Sequence, residues 1–334
     1  MGIIFAHSAV AMLFLFLFLF PFPSTILSNR IFIKLPLPKN VTSPYSFAFD
    51  QLGGGPYTGV TDGRIFKYGG PKVGFTEFAF TAPNRSKEVC DGTRDINLGP
   101  ICGRPLGLGY DHSTNQLYIA DAYFGLLAVG SNGGLATQAA TSEEGVPFRF
   151  LSGLDVDPVT GTVYITDFST EYELRQALVS GNATVLSDTT GRLLKYDPRT
   201  SQVTVLLRNL SGAVGTALST DRSFILVTEF NANRIQKFWL EGTKASTAEI
   251  LVGLEGRPTN IRTTLESFWV AVSIQSTPTT VPTAQRIDPY GNILESLNFA
   301  AQYGSNLLSE VQEYHGALYI GAGPSADFVG FFKV

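Results

Sequence analysis

A strand–turn–strand phrase that returns six times constrains this chain more than any other feature. Its clearest copy is residues 105–121: Leu106, Leu108 and Tyr110 alternate, residues 111–116 form a polar turn, and residues 117–120 are continuously apolar. Alternation at a period of two, then a turn and a buried run, is the pattern of a hairpin. The phrase recurs at 153–167 with its turn at Thr160-Gly161, at 215–229 with its turn at Thr220-Asp221, at 258–271, and at 311–321 with its turn at His315-Gly316. An earlier copy runs from Pro44 to Val60. The spacing, about 45–60 residues, is that of one small sheet that cannot bury its faces alone, so neighbours must stack radially. The expected fold is all-β, a six-bladed β-propeller.

A chain of 334 residues would suggest two domains by length, but β architectures of this size are routinely single, and residues 29–334 are read as one propeller. Residues 1–28 read as a signal peptide, because residues 9–22 are a Leu/Phe run of h-region type ending near Pro21, Pro23 and Ser24. The run is short for a spanning helix, which needs about 20 apolar residues. The first positive residue is only Arg30, so an uncleaved anchor is the alternative. Four sequons, at Asn40, Asn84, Asn182 and Asn209, also suit the secretory pathway. The only two cysteines, Cys90 and Cys102, lie in one Gly/Asp-rich loop, and an even pair in an oxidising compartment reads as a disulfide.

Net charge is −4 with no Lys/Arg cluster, which excludes nucleic-acid partners and gives no attraction to an anionic membrane once the leader is removed. One stretch breaks the rhythm. Between Phe168 and Arg192 lies a polar insertion with helical character at residues 171–178, either a binding loop or a surface excursion carrying the Asn182 glycan.

A longer set of phrases carries a family likeness. Residues 55–64, Cys102-Gly103-Arg104, residues 145–148, 190–198, Glu229-Phe230, 233–235, 239–242, 291–294 and Gln312-Glu313 together resemble strictosidine synthase and the plant proteins named after it, over nearly all of the chain after the leader. The resemblance implies a propeller with a pocket at one end of its axis, a vacuolar or extracellular plant protein, and a Cys90–Cys102 disulfide. It implies a monomer that acts on a small molecule without a cofactor. In that family an amine and an aldehyde condense to an iminium that then closes a ring, and one glutamate early in the last blade serves as acid and base. A carboxylate suits the task because an apolar pocket raises its pKa toward neutrality.

Carried over residue by residue, that glutamate's position holds Ser309, with Leu307 and Leu308 in place of its neighbours. Two pocket tyrosines become Leu106 and Ser152, a tryptophan becomes Phe150, and the pocket phenylalanine is kept as Phe230. The His-bearing loop of blade five is replaced by a short Pro/Thr-rich stretch, residues 277–283. An unactivated serine hydroxyl is almost never deprotonated near pH 7. Residues 304–312 are one longer than the family spacing, so a β-bulge would turn Glu310 inward; plain alternation would point it away from whatever Ser309 faces.

Ser309 and Glu310 are therefore the candidate proton carriers, with Leu106, Phe150, Ser152, Phe230, Leu307 and Leu308 as the substrate wall. The implied substrate is an amine, iminium or carbonyl compound, and strictosidine is not the expected product. A ligand-binding protein without turnover is the second reading. A lactonase- or esterase-type hydrolase is the third. Calcium-dependent propellers of that kind need oxygen ligands from several blades. The six leading positions here are Ser46, Gly107, Gly153, Gly215, Asn260 and Ser309, and only Asn260 is a good ligand, so no metal is expected. A Ser–His–Asp triad fails because His112 and His315 both fall in turns at the end of the ring opposite Ser309. Asp121, Asp167 and Glu229 recur at second-strand ends and are read as acceptors for turn N–H groups.

Overall fold

Strand pairing reproduces the repeat. The computed structural model describes residues 31–179, 183–276 and 279–333, so the leader and the Asn182 sequon lie outside the described residues. Six antiparallel sheets make the ring, five of four strands and one extended by a short parallel edge strand, Gly134–Leu135. Blade one starts at Phe47–Ala48, blade two at Pro105–Asp111, blade three at Leu151–Val156, blade four at Ala213–Leu218, blade five at Gly256–Thr263 and blade six at Leu308–Tyr314. Blade six takes its fourth strand from the start of the chain: Phe32–Pro36 pairs antiparallel with the last strand, Phe332 opposite Phe32 and Phe328 opposite Pro36. The ring is thus closed by the two ends of the chain, as the alternating Ile31–Leu35 segment predicts.

The inner strands are buried on both faces, which is why they read as apolar runs. Pro105–Asp111 and residues 117–121 have no exposed residue. The core lies between blades rather than in one centre; Leu126 of blade two packs with Leu151, Leu154, Val163 and Leu194 of blade three. Each such side chain contributes about 1.5–3 kcal/mol relative to exposure. Near the axis the first strands approach so closely that side chains are excluded. A Cβ on Gly107 would lie 2.3 Å from the Ser152 carbonyl oxygen, and one on Gly153 would lie 2.4 Å from that of Val214.

Five of the six first strands carry a register shift at their leading end, between Pro105 and Gly107, Leu151 and Leu154, Ala213 and Thr216, Pro258 and Ile261, and Leu308 and Glu310. A bulge lets two successive residues of one strand face the interior. The last of these shifts decides where Ser309 and Glu310 go.

Candidate functional site

One mouth of the axis is an apolar cavity of about 200 Å³. Leu106, Phe150, Phe230, Leu307, Leu308 and Ser309 line it, so six of the residues picked from the sequence meet in one place. Phe150 is held by stacking on Phe168, with ring centroids 4.6 Å apart. The insertion after Phe168 supplies a further part of the wall. Its two short helices, Leu174–Ala177 and Ala183–Leu186, bury Leu174 and Val185 against Leu106, Phe150 and Val214. The Asn231 amide Nδ2 donates to the Val185 carbonyl at 2.9 Å and pins the second helix to blade four. The insertion therefore lines the cavity.

Two predicted members are not in the cavity. Ser152 is fully buried behind the wall, near the hydroxyl of Tyr45, and its Oγ makes no hydrogen bond of ordinary geometry. Glu310 is the larger correction. The bulge does bring it to the interior, with no exposed surface, but it faces along the axis below the cavity and not into it. Its carboxylate accepts from the Phe47 N–H at 2.7 Å and from Ser46 Oγ at 3.0 Å, and lies 2.9 Å from the Arg262 guanidinium. Burial pushes the Glu310 carboxyl up, and Arg262 pulls it part of the way back. A carboxylate engaged on every side is not placed to serve a ligand above it.

Arg262, which the sequence reading passed over, plugs the axis. From blade five it donates to the Leu154 carbonyl at 2.8 Å, the Leu108 carbonyl at 3.0 Å and Ser46 Oγ at 2.8 Å, so it ties blades two and three to the start of blade one, while Glu310 adds blade six. Asp155 stands beside it and accepts from the Leu218 N–H of blade four at 2.8 Å. The only signal in the sequence was an arginine inside an inner strand, Gly256–Thr263. Beyond the plug lies the second mouth, lined by His112, Tyr110, Arg222 and Tyr314. His112 and Ser309 are therefore on opposite sides of Arg262, and no triad forms.

The pocket end offers few groups to move a proton. Ser309 Oγ donates to the Pro44 carbonyl at 3.1 Å. The Tyr45 hydroxyl is pushed up to about 12, first by burial, so it stays protonated at neutral pH. Among the described residues no carboxylate lines the cavity, and no cluster of three or more His, Cys, Asp or Glu side chains is arranged to hold a metal.

The recurring acids fix turns, as expected. Asp121 accepts from the N–H groups of Arg104, Tyr123 and Phe124, Asp167 from that of Phe150, and Glu229 from that of Ser211. Asp167 also holds Arg192 at 2.6 Å, yet burial outweighs that attraction and pushes its carboxyl up to about 6. A carboxyl raised in the fold stabilises fully below its ordinary value near 3.8 and loses that contribution as pH rises through about 6. Relative to Asp167→Asn, the wild type should lose on the order of 3 kcal/mol between about pH 4 and pH 7, read from urea unfolding at both ends. A flat difference between the two proteins would show that Asp167 stays ionised throughout.

The disulfide is formed, Cys90 to Cys102, with Cα atoms 5.5 Å apart. It closes the loop that leads through Gly103 to Arg104 at the cavity edge.

Comparison with known proteins agrees with this geometry. The sequence profile of the Strictosidine synthase family matches residues 152–243. Protein STRICTOSIDINE SYNTHASE-LIKE 11 of Arabidopsis thaliana is 43% identical over 318 residues, 93% of this chain and 94% of its own. Strictosidine synthase of Catharanthus roseus is 41% identical over 298 residues, 88% of this chain and 83% of its own. Among solved structures, a calcium-binding protein, regucalcin, from Agrobacterium tumefaciens superimposes with a TM-score of 0.62 over 90% of this chain and 93% of its own. At 14% identity that likeness concerns the fold alone. With close relatives spanning almost its whole length, the chain belongs to the strictosidine synthase-like family.

Proposed function

We propose that the chain is an enzyme of plant specialised metabolism, of the condensing lyase class used in alkaloid biosynthesis. It would hold a carbonyl compound, an amine or the iminium they form in the axial pocket, and its product is not strictosidine. The observation that carries this reading is the lining. It is mostly apolar and holds no carboxylate among the described residues, Ser309 holds the position the resemblance gives to the family's glutamate, and the neighbouring Glu310 is engaged with Arg262. In such a pocket rate enhancement comes from confining and aligning reactants, which can be worth several powers of ten without a strong base. Proton movement is left to the hydroxyls of Ser309 and Tyr45.

The same scarcity of proton carriers supports a second reading, a carrier that retains its ligand unchanged. The hydrolase reading loses support, because a guanidinium sits where a calcium-dependent propeller would gather anionic ligands. We place the protein in the secretory pathway, ending in the vacuole or outside the cell. The disulfide supports this, as do the exposed side chains of Asn40, Asn84 and Asn209.

Recombinant protein incubated with tryptamine and secologanin should yield no strictosidine beyond the protein-free reaction, followed by liquid chromatography and mass spectrometry. Protein-dependent strictosidine would remove the reading. A screen of aldehyde–amine pairs should find a condensation that Leu106→Arg abolishes by filling the pocket. Tight retention of a ligand with no conversion would favour the carrier.

A further inference from the structure

Four arginines among the described residues are buried to below a tenth of their surface: Arg64, Arg104, Arg192 and Arg262. Three have a carboxylate, at 2.6 Å from Asp62, 2.6 Å from Asp167 and 2.9 Å from Glu310 respectively. Arg104 has none. It lines the cavity, and its Nε is wholly buried without a partner. Its terminal nitrogens make no hydrogen bond or ion pair with any described residue; only its backbone is engaged, the N–H with Asp121 and the carbonyl with the Ala122 N–H. The acids that feel its charge are already occupied, Asp121 by three backbone N–H groups and Asp62 by Arg64. A cation taken out of water costs several kcal/mol unless it is paired, so an unpaired one in a cavity wall calls for a partner that arrives with the ligand.

A second cation points the same way. Arg257 lies 5.1 Å from the ring of Phe230, which lines the cavity, and it has no carboxylate partner among the described residues.

We propose that the pocket takes an organic acid. Its apolar body lies among Leu106, Phe150, Val185, Phe230 and Leu308, and its carboxylate sits on the Arg104 guanidinium. The planar fork of arginine matches a carboxylate with two parallel hydrogen bonds. The inference rests on reading this cavity as the ligand site and narrows it. A carbonyl compound bearing a carboxylate fits; a free ammonium with no acid group would meet an unpaired guanidinium of its own sign.

The test is calorimetric binding, near neutral pH, of three probes that share one apolar body: phenylpropanoate, phenylpropanol and phenylpropylamine. The acid should bind about tenfold or more tightly than the alcohol, with the amine weakest. Arg104→Met should bring the acid down to the alcohol while leaving the alcohol within about threefold, which also shows the variant is folded, and Arg104→Lys should keep part of the preference. An acid that binds no better than the alcohol to wild type, or keeps its advantage in Arg104→Met, overturns the proposal while leaving the pocket intact as a ligand site. Binding of none of the three removes the pocket reading, and the proposal with it.

Discussion

Replacing Arg262 with methionine will lower stability by about 3–5 kcal/mol, because it leaves buried acids without their cation. Glu310 has no exposed surface and, among the described residues, its 2.9 Å contact with Arg262 is its only ion pair; Asp155, also within the field of Arg262, has only backbone donors among those residues. The same substitution strips donors from the carbonyls of Leu108 and Leu154 and from Ser46, so three blades lose a shared tie. Urea unfolding of the single variant, of Glu310→Gln and of the double variant would give the coupling directly. The double variant should be more stable than Arg262→Met alone, since a neutral pair removes the uncompensated charge. If the two losses simply add, the plug is not an ion pair in any energetic sense.

Removing the disulfide should have the next largest effect. Cys90 and Cys102 are separated by 12 residues, and cross-linking a loop of that size stabilises by about 3 kcal/mol in the chain-entropy model, within a usual range of about 2–4. The loop is also fastened without the bond: Asp62 accepts from the Gly92 N–H at 2.8 Å, and Asp91 lies 3.4 Å from Arg64. These contacts act in the folded state and survive the substitution, so Cys90→Ala with Cys102→Ala should lower the unfolding midpoint while the native circular dichroism is kept. The loss should equal that produced by a reductant on the wild type. A double variant as stable as the wild type would mean that the unfolded chain is already restricted there by other means.

The pattern of the chain carried most of the architecture. Six copies of one hairpin phrase, each with apolar runs on its inner strands, leave radial stacking as the only way to bury them, and an alternating segment at residues 31–35 is left over to pair with the last strand. The pocket wall was legible through the family resemblance, which pointed to Leu106, Phe150, Phe230, Leu307 and Leu308, and the fold brings all five to one cavity. What failed was direction. Alternation forbids Ser309 and Glu310 from facing the same interior, and a spacing one residue long allowed a bulge without locating it; the bulge is present, and both residues are buried. Arg104 was visible only as part of a phrase, since nothing in a linear sequence shows that an arginine lacks a partner.

Local periodicity, then, settled what depends on neighbours along the chain: strands, turns, blade number, ring closure and the pair of cysteines close enough to join. The tertiary structure alone decided which charges meet. Arg262 finds Glu310 and carbonyls of two other blades, and Arg104 finds no ion-pair partner among the described residues, because six inner strands distant in sequence converge on one axis. Electrostatic partnership is set by distances of a few ångströms across that axis, and hydrophobic alternation does not encode them.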